Sequence, residues 1–190
     1  MIEERLKAAF DPYFKAPLEA WKVFADLCEL VQYKKNEILK QKGQHEKHAH
    51  FILKGSCGIF LWKENSYVCL DLFYEGALFG DNMSFITNQP SPLESIALED
   101  SEMLRISKQN YSKLRETPVG IRICLNTAEA SFVEKQQQQI DLLLKTAEQR
   151  YIELLEKQPD IVQRTSQKHI ASYLGITTQS LSRIRKNIIR

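Results

Sequence analysis

Between Tyr33 and Ser107 the chain is a succession of short apolar runs, HFILKG, GIFLW, SYVCLDLFYEG, ESIALED and EMLRIS, divided by Gly, Asn and Pro. Runs this short, rich in Ile, Phe, Tyr and Val and separated by turn formers, fold as antiparallel strands. Such strands bury their side chains by rolling the sheet on itself. A doubly wound parallel sheet needs a helix of about ten residues or more between strands, and the spacing leaves no room for several. The middle of the chain is therefore predicted to be a rolled antiparallel sheet or a barrel, and the class to be α+β, because helical periodicity holds on both sides of it.

On the N-terminal side, IEERLKAAF closes at DPYF, and PLEAWKVFADLC puts Leu18, Trp21, Phe24, Ala25 and Cys28 on one helical face. Pro17 suits a first helical turn, where its missing N–H costs nothing. After YSKLRETP a long helix is predicted, with Ile121, Leu125, Ala128 and Phe132 alternating four and three apart. The same register continues to Lys135, Gln139 and Leu142, so the stripe is most apolar in its first half. It can pack on the chain's own sheet or on its twin in a dimer. A helix this long exceeds what one small domain covers, which favours the dimer. The QQQQ within it reads as good helix formers on an exposed flank. Another amphipathic segment, AEQRYIELLEKQP, ends near Pro159.

The net charge of +2 is unevenly placed. From Ile161 to Arg190 the charged residues are Arg164, Lys168, Arg183, Arg185, Lys186 and Arg190, with no acid, so the remainder is net acidic. A basic end on an acidic body is expected to meet a polyanion. The four cysteines, Cys28, Cys57, Cys69 and Cys124, form no C-x-x-C pair, and neither a zinc knuckle nor a dithiol site is signalled. MIEERLKAAFDPYF mixes acids and bases and has no apolar h-region, so no secretory leader is expected, and no stretch is long and uncharged enough to cross a bilayer. A cytoplasmic protein with no membrane partner is expected.

In TSQKHIASYLGITTQSLSRIRKNIIR, Thr165 is a candidate cap for a helix carrying Ile170, Ala171 and Leu174. Gly175 supplies the positive φ that ends this helix, and Thr177 can cap the next. On the second helix Leu181, Ile184 and Ile188 share one side. Gln179, Ser182, Arg183, Lys186 and Arg190 fall on the other, which is polar, basic and free of acids. Phosphates are met by Arg, Lys and first-turn N–H groups, while Gln and Arg form bidentate bonds to base edges in the major groove. An ordinary helical hairpin with a solvated basic face is the alternative.

Here the chain resembles the Crp/Fnr transcription regulators, in particular their compact members, over nearly its entire length. HFILKGSCGIF is similar to their strand-Gly-strand pattern, YEGALFGDNMSF to the entry of their ligand cassette, and IALEDSEMLRISKQNYSKL to their last roll strands and following helix. QKHIASYLGITTQSLSRIRKNI is the most specific match. The resemblance implies an N-terminal double-stranded β-helix, that is, a cyclic-nucleotide-binding-like jelly roll with flanking helices, over residues 1–117. It implies a dimerisation helix at 118–145, with Ile121, Leu125, Ala128 and Phe132 at the interface of a homodimer. It implies a helix-turn-helix at 146–190, whose DNA-binding residues are Thr177, Thr178, Gln179, Ser182, Arg183 and Lys186. The expected function is a sequence-specific regulator reading a palindrome in double-stranded DNA. Thr178, Gln179 and Arg183 occupy the base-reading places. Many members have Arg-Glu followed by Arg there, so Thr178 and Gln179 imply a different operator. The β-hairpin wing of larger members is not expected, since the chain stops at Arg190.

Nucleotide-binding members carry a Gly-Glu pair and an Arg-Ser or Arg-Thr pair in the cassette, the Arg neutralising the cyclic phosphate. The matching positions here are Gly80-Asp81 and Glu94-Ser95, and no Arg lies between Asp81 and Met103. A Glu facing a phosphate in low dielectric costs more than a missing contact. The pocket is expected to be degenerate, or to take another small-molecule effector. No cofactor and no metal are called for. Cys28 stands alone where oxygen sensors group their cluster ligands. His45, His48, His50 and His169 are conceivable haem ligands, and His48 and His50 with His45 or Glu46 conceivable metal ligands, against an ordinary polar face beside Phe51. His169 is read as structural or a phosphate neighbour. Enzyme motifs such as G-x-S-x-G, H-E-x-x-H and G-x-x-x-x-G-K-[ST] do not occur, and Cys57 facing His50 is the one nucleophile candidate. No enzyme is expected. The rival reading is a ligand-binding or assembly module of the same fold without sequence-specific DNA binding.

Overall fold

A computed structural model of the chain describes residues 1–64 and 66–188. Two helices, α1 (Ile2–Phe10) and α2 (Leu18–Asp26), precede six strands, β1 (Glu29–Tyr33), β2 (Ile38–Lys40), β3 (His48–Lys54), β4 (Cys57–Lys63), β5 (Ser66–Phe73) and β6 (Leu78–Phe79). A short helix α3 (Asn82–Thr87) leads to β7 (Leu93–Ala97) and β8 (Ser101–Ser107). The rest is helical: α4 (Lys108–Leu114), α5 (Pro118–Leu144), α6 (Ala147–Lys157), α7 (Ile161–Arg164), α8 (Gln167–Tyr173) and α9 (Thr178–Ile188).

The strands form two four-stranded antiparallel sheets, ordered β1-β8-β3-β6 and β2-β7-β4-β5. The short apolar runs thus became the expected roll. Both faces of β3 are buried, and its alternation shows why. Ala49, Phe51 and Leu53 point outward into a cluster with Leu6, Trp21 and Phe24 of the N-terminal helices, while Ile52 points inward with Cys57, Phe79 and Met103. Trp21 is fully buried and stacks on Phe10 at 5.1 Å between ring centroids. One sheet is therefore covered by α1 and α2. The outer face of the other sheet, with Phe60, Cys69 and Leu98, is covered by Tyr173 of α8.

Helix α5 leaves the roll through a tight crossing. Thr117 caps it by accepting from the Gly120 N–H at 3.0 Å, and Pro118 opens its first turn. Gly120, Ile123 and Cys124 are buried against the roll. A Cβ on Gly120 would run into the backbone carbonyl of Leu114. Gly120→Ala is therefore expected to cost about 1–3 kcal/mol by forcing α5 away from α4, measured by urea unfolding. The stripe Ile121, Leu125, Ala128 and Phe132 faces away from the roll and is exposed, Phe132 at 69%.

Candidate nucleic-acid interface and effector cassette

Helices α8 and α9 pack through Ile170, Ala171, Leu174 and Leu181, which are at most 1% exposed, together with Tyr151 and Ile161. Gly175 separates the two helices at φ +69, where a Cβ is disfavoured. The Thr177 hydroxyl accepts from the Ser180 N–H at 3.1 Å, so Thr177 caps α9 as its position suggested. Thr165 does not cap α8. Ser166 does, accepting from the His169 N–H at 3.2 Å, while the buried Thr165 hydroxyl meets the Tyr74 hydroxyl of the roll at 2.7 Å. The Tyr74 contact spans 91 residues and gives no local signal.

On α9 the residues Thr178, Gln179, Ser182, Arg183 and Lys186 are exposed, as is Thr177 immediately before it. The opposite side carries Leu181, fully buried, and Ile184, partly buried. Ile188 is 38% exposed, so Leu181 rather than the end of the aliphatic stripe anchors the helix. Of the basic residues counted toward a polyanion, two turn to the protein itself. Arg164 pairs with Glu75 and Glu99 at 2.8 Å each, and Lys168 lies 4.7 Å from the ring centre of Tyr67. Arg190 lies outside the described residues. Arg183 and Lys186 remain as the exposed cationic ridge, while Arg185 is half-buried.

The cassette is built differently from its expected outline. Asp81 caps α3 by accepting from the Ser84 N–H at 3.1 Å, and its other oxygen accepts from Lys40 at 2.7 Å. Lys40 also donates to the Ser91 hydroxyl at 2.7 Å and the Leu93 carbonyl at 2.8 Å, and Ser91 donates to the same Asp81 carboxylate. The side chains of Lys40 and Asp81 are 3% and 2% exposed. Burial alone would push the Asp81 carboxyl up, but the hydrogen bonds from Lys40 and Ser91 outweigh it and hold the group below the ordinary carboxylate range. Gly80 lies tight against β3, where a Cβ would come 3.3 Å from the His48 carbonyl.

Glu94 and Ser95 do not form a pair aimed into one pocket, because neighbouring strand residues point to opposite faces. Glu94 sits opposite Phe60 on the outer face and accepts from the Trp62 indole N–H at 2.8 Å. Ser95 points the other way, and its buried hydroxyl has no protein partner. The reversal of charge expected at Glu94 is thus spent on Trp62. Sequence reasoning missed Lys40, the cation of the cassette. Regular alternation would put it on the same face as the exposed Ile38, but a register shift between Ile38 and Lys40 turns it inward.

The histidines are placed without a metal set: among the described residues no group of three His, Cys, Asp or Glu side chains could hold a metal ion. His45 is exposed, whereas His50 is buried, stacks on Phe79 and meets the Tyr33 hydroxyl at 3.2 Å. Burial first, then His48 and Arg105, lowers its pKa to about 3, so the ring is neutral. Glu46 is buried, and its carboxylate accepts from the Lys47 and His48 N–H groups at 3.0 and 3.1 Å. The Cys57 thiol contacts the Gly58 carbonyl at 3.8 Å rather than His50, and burial pushes it up, away from a nucleophilic thiolate. His169 faces Phe60 at 5.1 Å and Tyr67 at 5.7 Å, so it is a roll contact and not a neighbour of the α9 ridge.

Residues 30–117 match the cyclic nucleotide-binding domain family. None of the curated proteins is similar to the chain in sequence. Among solved structures, the c-di-GMP responsive global regulator CLP of Xanthomonas campestris superposes with a TM-score of 0.70 at 15% identity, over 90% of this chain and 91% of that one. FixK2 from Bradyrhizobium japonicum gives 0.72 at 17% identity, over 85% and 84%. Thermus thermophilus catabolite activator protein gives 0.60 at 17% identity, over 95% and 86%. At these identities the likeness is one of fold. No helix among the described residues is long and apolar enough to cross a membrane.

Proposed function

We propose, from the premise that this chain has the Crp/Fnr fold and carries a cyclic nucleotide-binding domain at residues 30–117, that it is a non-enzymatic transcription regulator. It works as a homodimer reading a palindrome in double-stranded DNA. One observation carries the reading: Gln179, Ser182, Arg183 and Lys186 are exposed together on a helix whose other side is anchored by the fully buried Leu181. Thr178 joins them at the first turn, where N–H groups and short polar side chains suit a phosphate or a base edge. The parts are a roll with its N-terminal helices at 1–117, a dimerisation helix at 118–145 and a DNA-reading unit at 146–190. The exposed stripe Ile121, Leu125, Ala128 and Phe132 supports the dimer, since apolar residues at this spacing are covered by a partner helix.

The cassette is proposed not to take a cyclic nucleotide. The ammonium of Lys40 is already neutralised by Asp81 and fully bonded within the protein, so an incoming phosphate would have to compete with a buried ion pair. An effector of other chemistry is left to the roll. Titration with cyclic AMP and cyclic GMP in a calorimeter should give no saturable heat.

Selection of bound sequences from a random duplex pool tests the main reading. A palindrome with half-sites about one helical turn apart is expected to emerge. Enrichment of no sequence, with no salt-sensitive attachment to duplexes, would leave the ligand-binding or assembly module in its place. Lys186→Ala should weaken every duplex alike and reduce the slope of log affinity against log salt by about 1, as expected for one lost phosphate contact.

A further inference from the structure

The DNA-reading unit is not merely tethered to the roll by α5. Tyr74 and Leu72 of β5 and its following turn enter the same apolar cluster as Ile161, Ile170 and Leu181. Around that cluster three turns at one end of the roll converge on a single side chain, Arg164. Its guanidinium donates to both oxygens of Glu75 at 2.8 and 2.9 Å, to both oxygens of Glu99 at 2.8 and 3.2 Å, and to the Gly55 carbonyl at 3.3 Å. The face of the guanidinium lies 5.2 Å from the Tyr74 ring centre. The carboxylates are themselves braced, Glu75 by the Gly55 N–H at 2.8 Å and Glu99 by the Ser56 hydroxyl at 2.6 Å. Bidentate Arg–carboxylate geometry defines an orientation as well as an attraction.

The two carboxylates occupy informative places in the chain. Glu75 begins the segment that runs through β6 to Gly80 and Asp81. Glu99 ends the segment that runs through β7 from Leu93, Glu94 and Ser95. Each is therefore the far end of a short extended piece whose near end carries half of the cassette. At the cassette itself, the two pieces are tied by Lys40, which bonds both Asp81 and the Leu93 carbonyl.

We infer that Arg164 is a latch. It joins the DNA-reading unit to the two cassette-bearing segments, so that a disturbance at Asp81 reaches α8 and α9 through the grip of Glu75 and Glu99. This inference rests on the proposed regulator function for its purpose, but its geometry stands in the isolated chain. The arrangement gives an event in the roll a direct path within one protomer, beside the one through α5. A change of grip changes the orientation of α9, on which the spacing of two half-site readers in a dimer depends. Burial pushes the Glu75 and Glu99 carboxyls up, and the hydrogen bonds from Arg164 more than reverse it, so both remain ionised and gripping at neutral pH.

The test is a double-variant cycle read by amide hydrogen exchange on the full chain, without DNA. Arg164→Gln should speed exchange across residues 165–174 by about tenfold or more, while strands 48–54 and 101–107 keep their wild-type rates. Asp81→Asn, which retains the α3 cap, should speed exchange in the same 165–174 segment. In the Arg164→Gln background it should add nothing there. Ser91→Ala, which removes a milder part of the same cluster, replaces Asp81→Asn where that variant does not fold. Additive effects in the cycle, or acceleration of the whole chain together, would overturn the latch. Because no duplex is present, a non-additive cycle supports the latch whether or not the protein binds DNA, and an additive one removes it even if the palindrome is found.

Discussion

Asp81→Ala is expected to destabilise the protein by about 3–5 kcal/mol, seen as a fall in thermal midpoint of roughly 10 °C. The change leaves the ammonium of Lys40 almost completely out of water with only the Ser91 hydroxyl and the Leu93 carbonyl for company. It also removes the α3 cap on Ser84, itself worth about 1 kcal/mol. The outcome that distinguishes an unpaired charge from a general packing defect is the double variant Lys40→Met with Asp81→Asn. Replacing both members of a buried pair is far cheaper than removing one, so this variant should recover most of the loss. A double variant as unstable as the two single changes added together would refute the ion pair as the cause.

The same pair sets a dependence on pH. The Asp81 carboxyl is held below its unfolded value of about 3.9, so its contribution is present above that pH. That contribution is lost as pH falls through the lower folded value. Glu75 and Glu99, also held low, act in the same direction. Wild-type stability should therefore decline steeply below about pH 4, and Asp81→Asn should show a shallower decline in that window by urea unfolding.

The second large effect separates the two faces of α9. Leu181→Ala empties a fully buried position shared by Tyr151, Ile161, Ile170 and Leu174, and is expected to cost about 2–5 kcal/mol. Arg183→Ala touches an exposed side chain and should change stability by no more than about 0.5 kcal/mol. Its effect belongs to recognition: about 1–3 kcal/mol of discrimination should disappear at one base pair of the selected site. Binding measured against a panel of single-base variants, alongside thermal unfolding, reads both. Equal loss of stability in the two variants would mean that the face assigned to DNA is part of the core.

These assignments of faces were legible because they depend on local periodicity. Gly175 and Thr177 mark a helix end and a helix start by backbone chemistry that works over a few residues, and both do so here. The stripe from Ile121 to Phe132 was equally readable as one face of the helix, and that face is exposed. Thr165, Arg164 and Gln138 were not legible in the same way. Thr165 is an acceptable cap by sequence, yet its hydroxyl is taken by Tyr74, and Arg164 belongs by charge with the basic ridge, yet is neutralised by two roll carboxylates. Gln138, one of four consecutive glutamines, is half-buried and donates to the Leu70 carbonyl at 3.2 Å. Leu70 is free to accept because the β4–β5 register shifts beside it, and the neighbouring Cys69 N–H donates to the Ser172 hydroxyl of α8 at 2.9 Å.

By itself the sequence determined the helical flanks, the run of short strands between them and the polar, basic side of α9, since each follows from the spacing of apolar residues along a few turns or one strand. Only the tertiary structure decided that Lys40 turns inward to Asp81 and that Glu94 turns outward to Trp62. It alone decided that the C-terminal helices are gripped by the chain's own roll through Arg164. The physical reason is the same in each case: a one-residue shift in strand register reverses a side chain's face, and a buried charge takes whichever partner the docking of distant segments brings within hydrogen-bond reach.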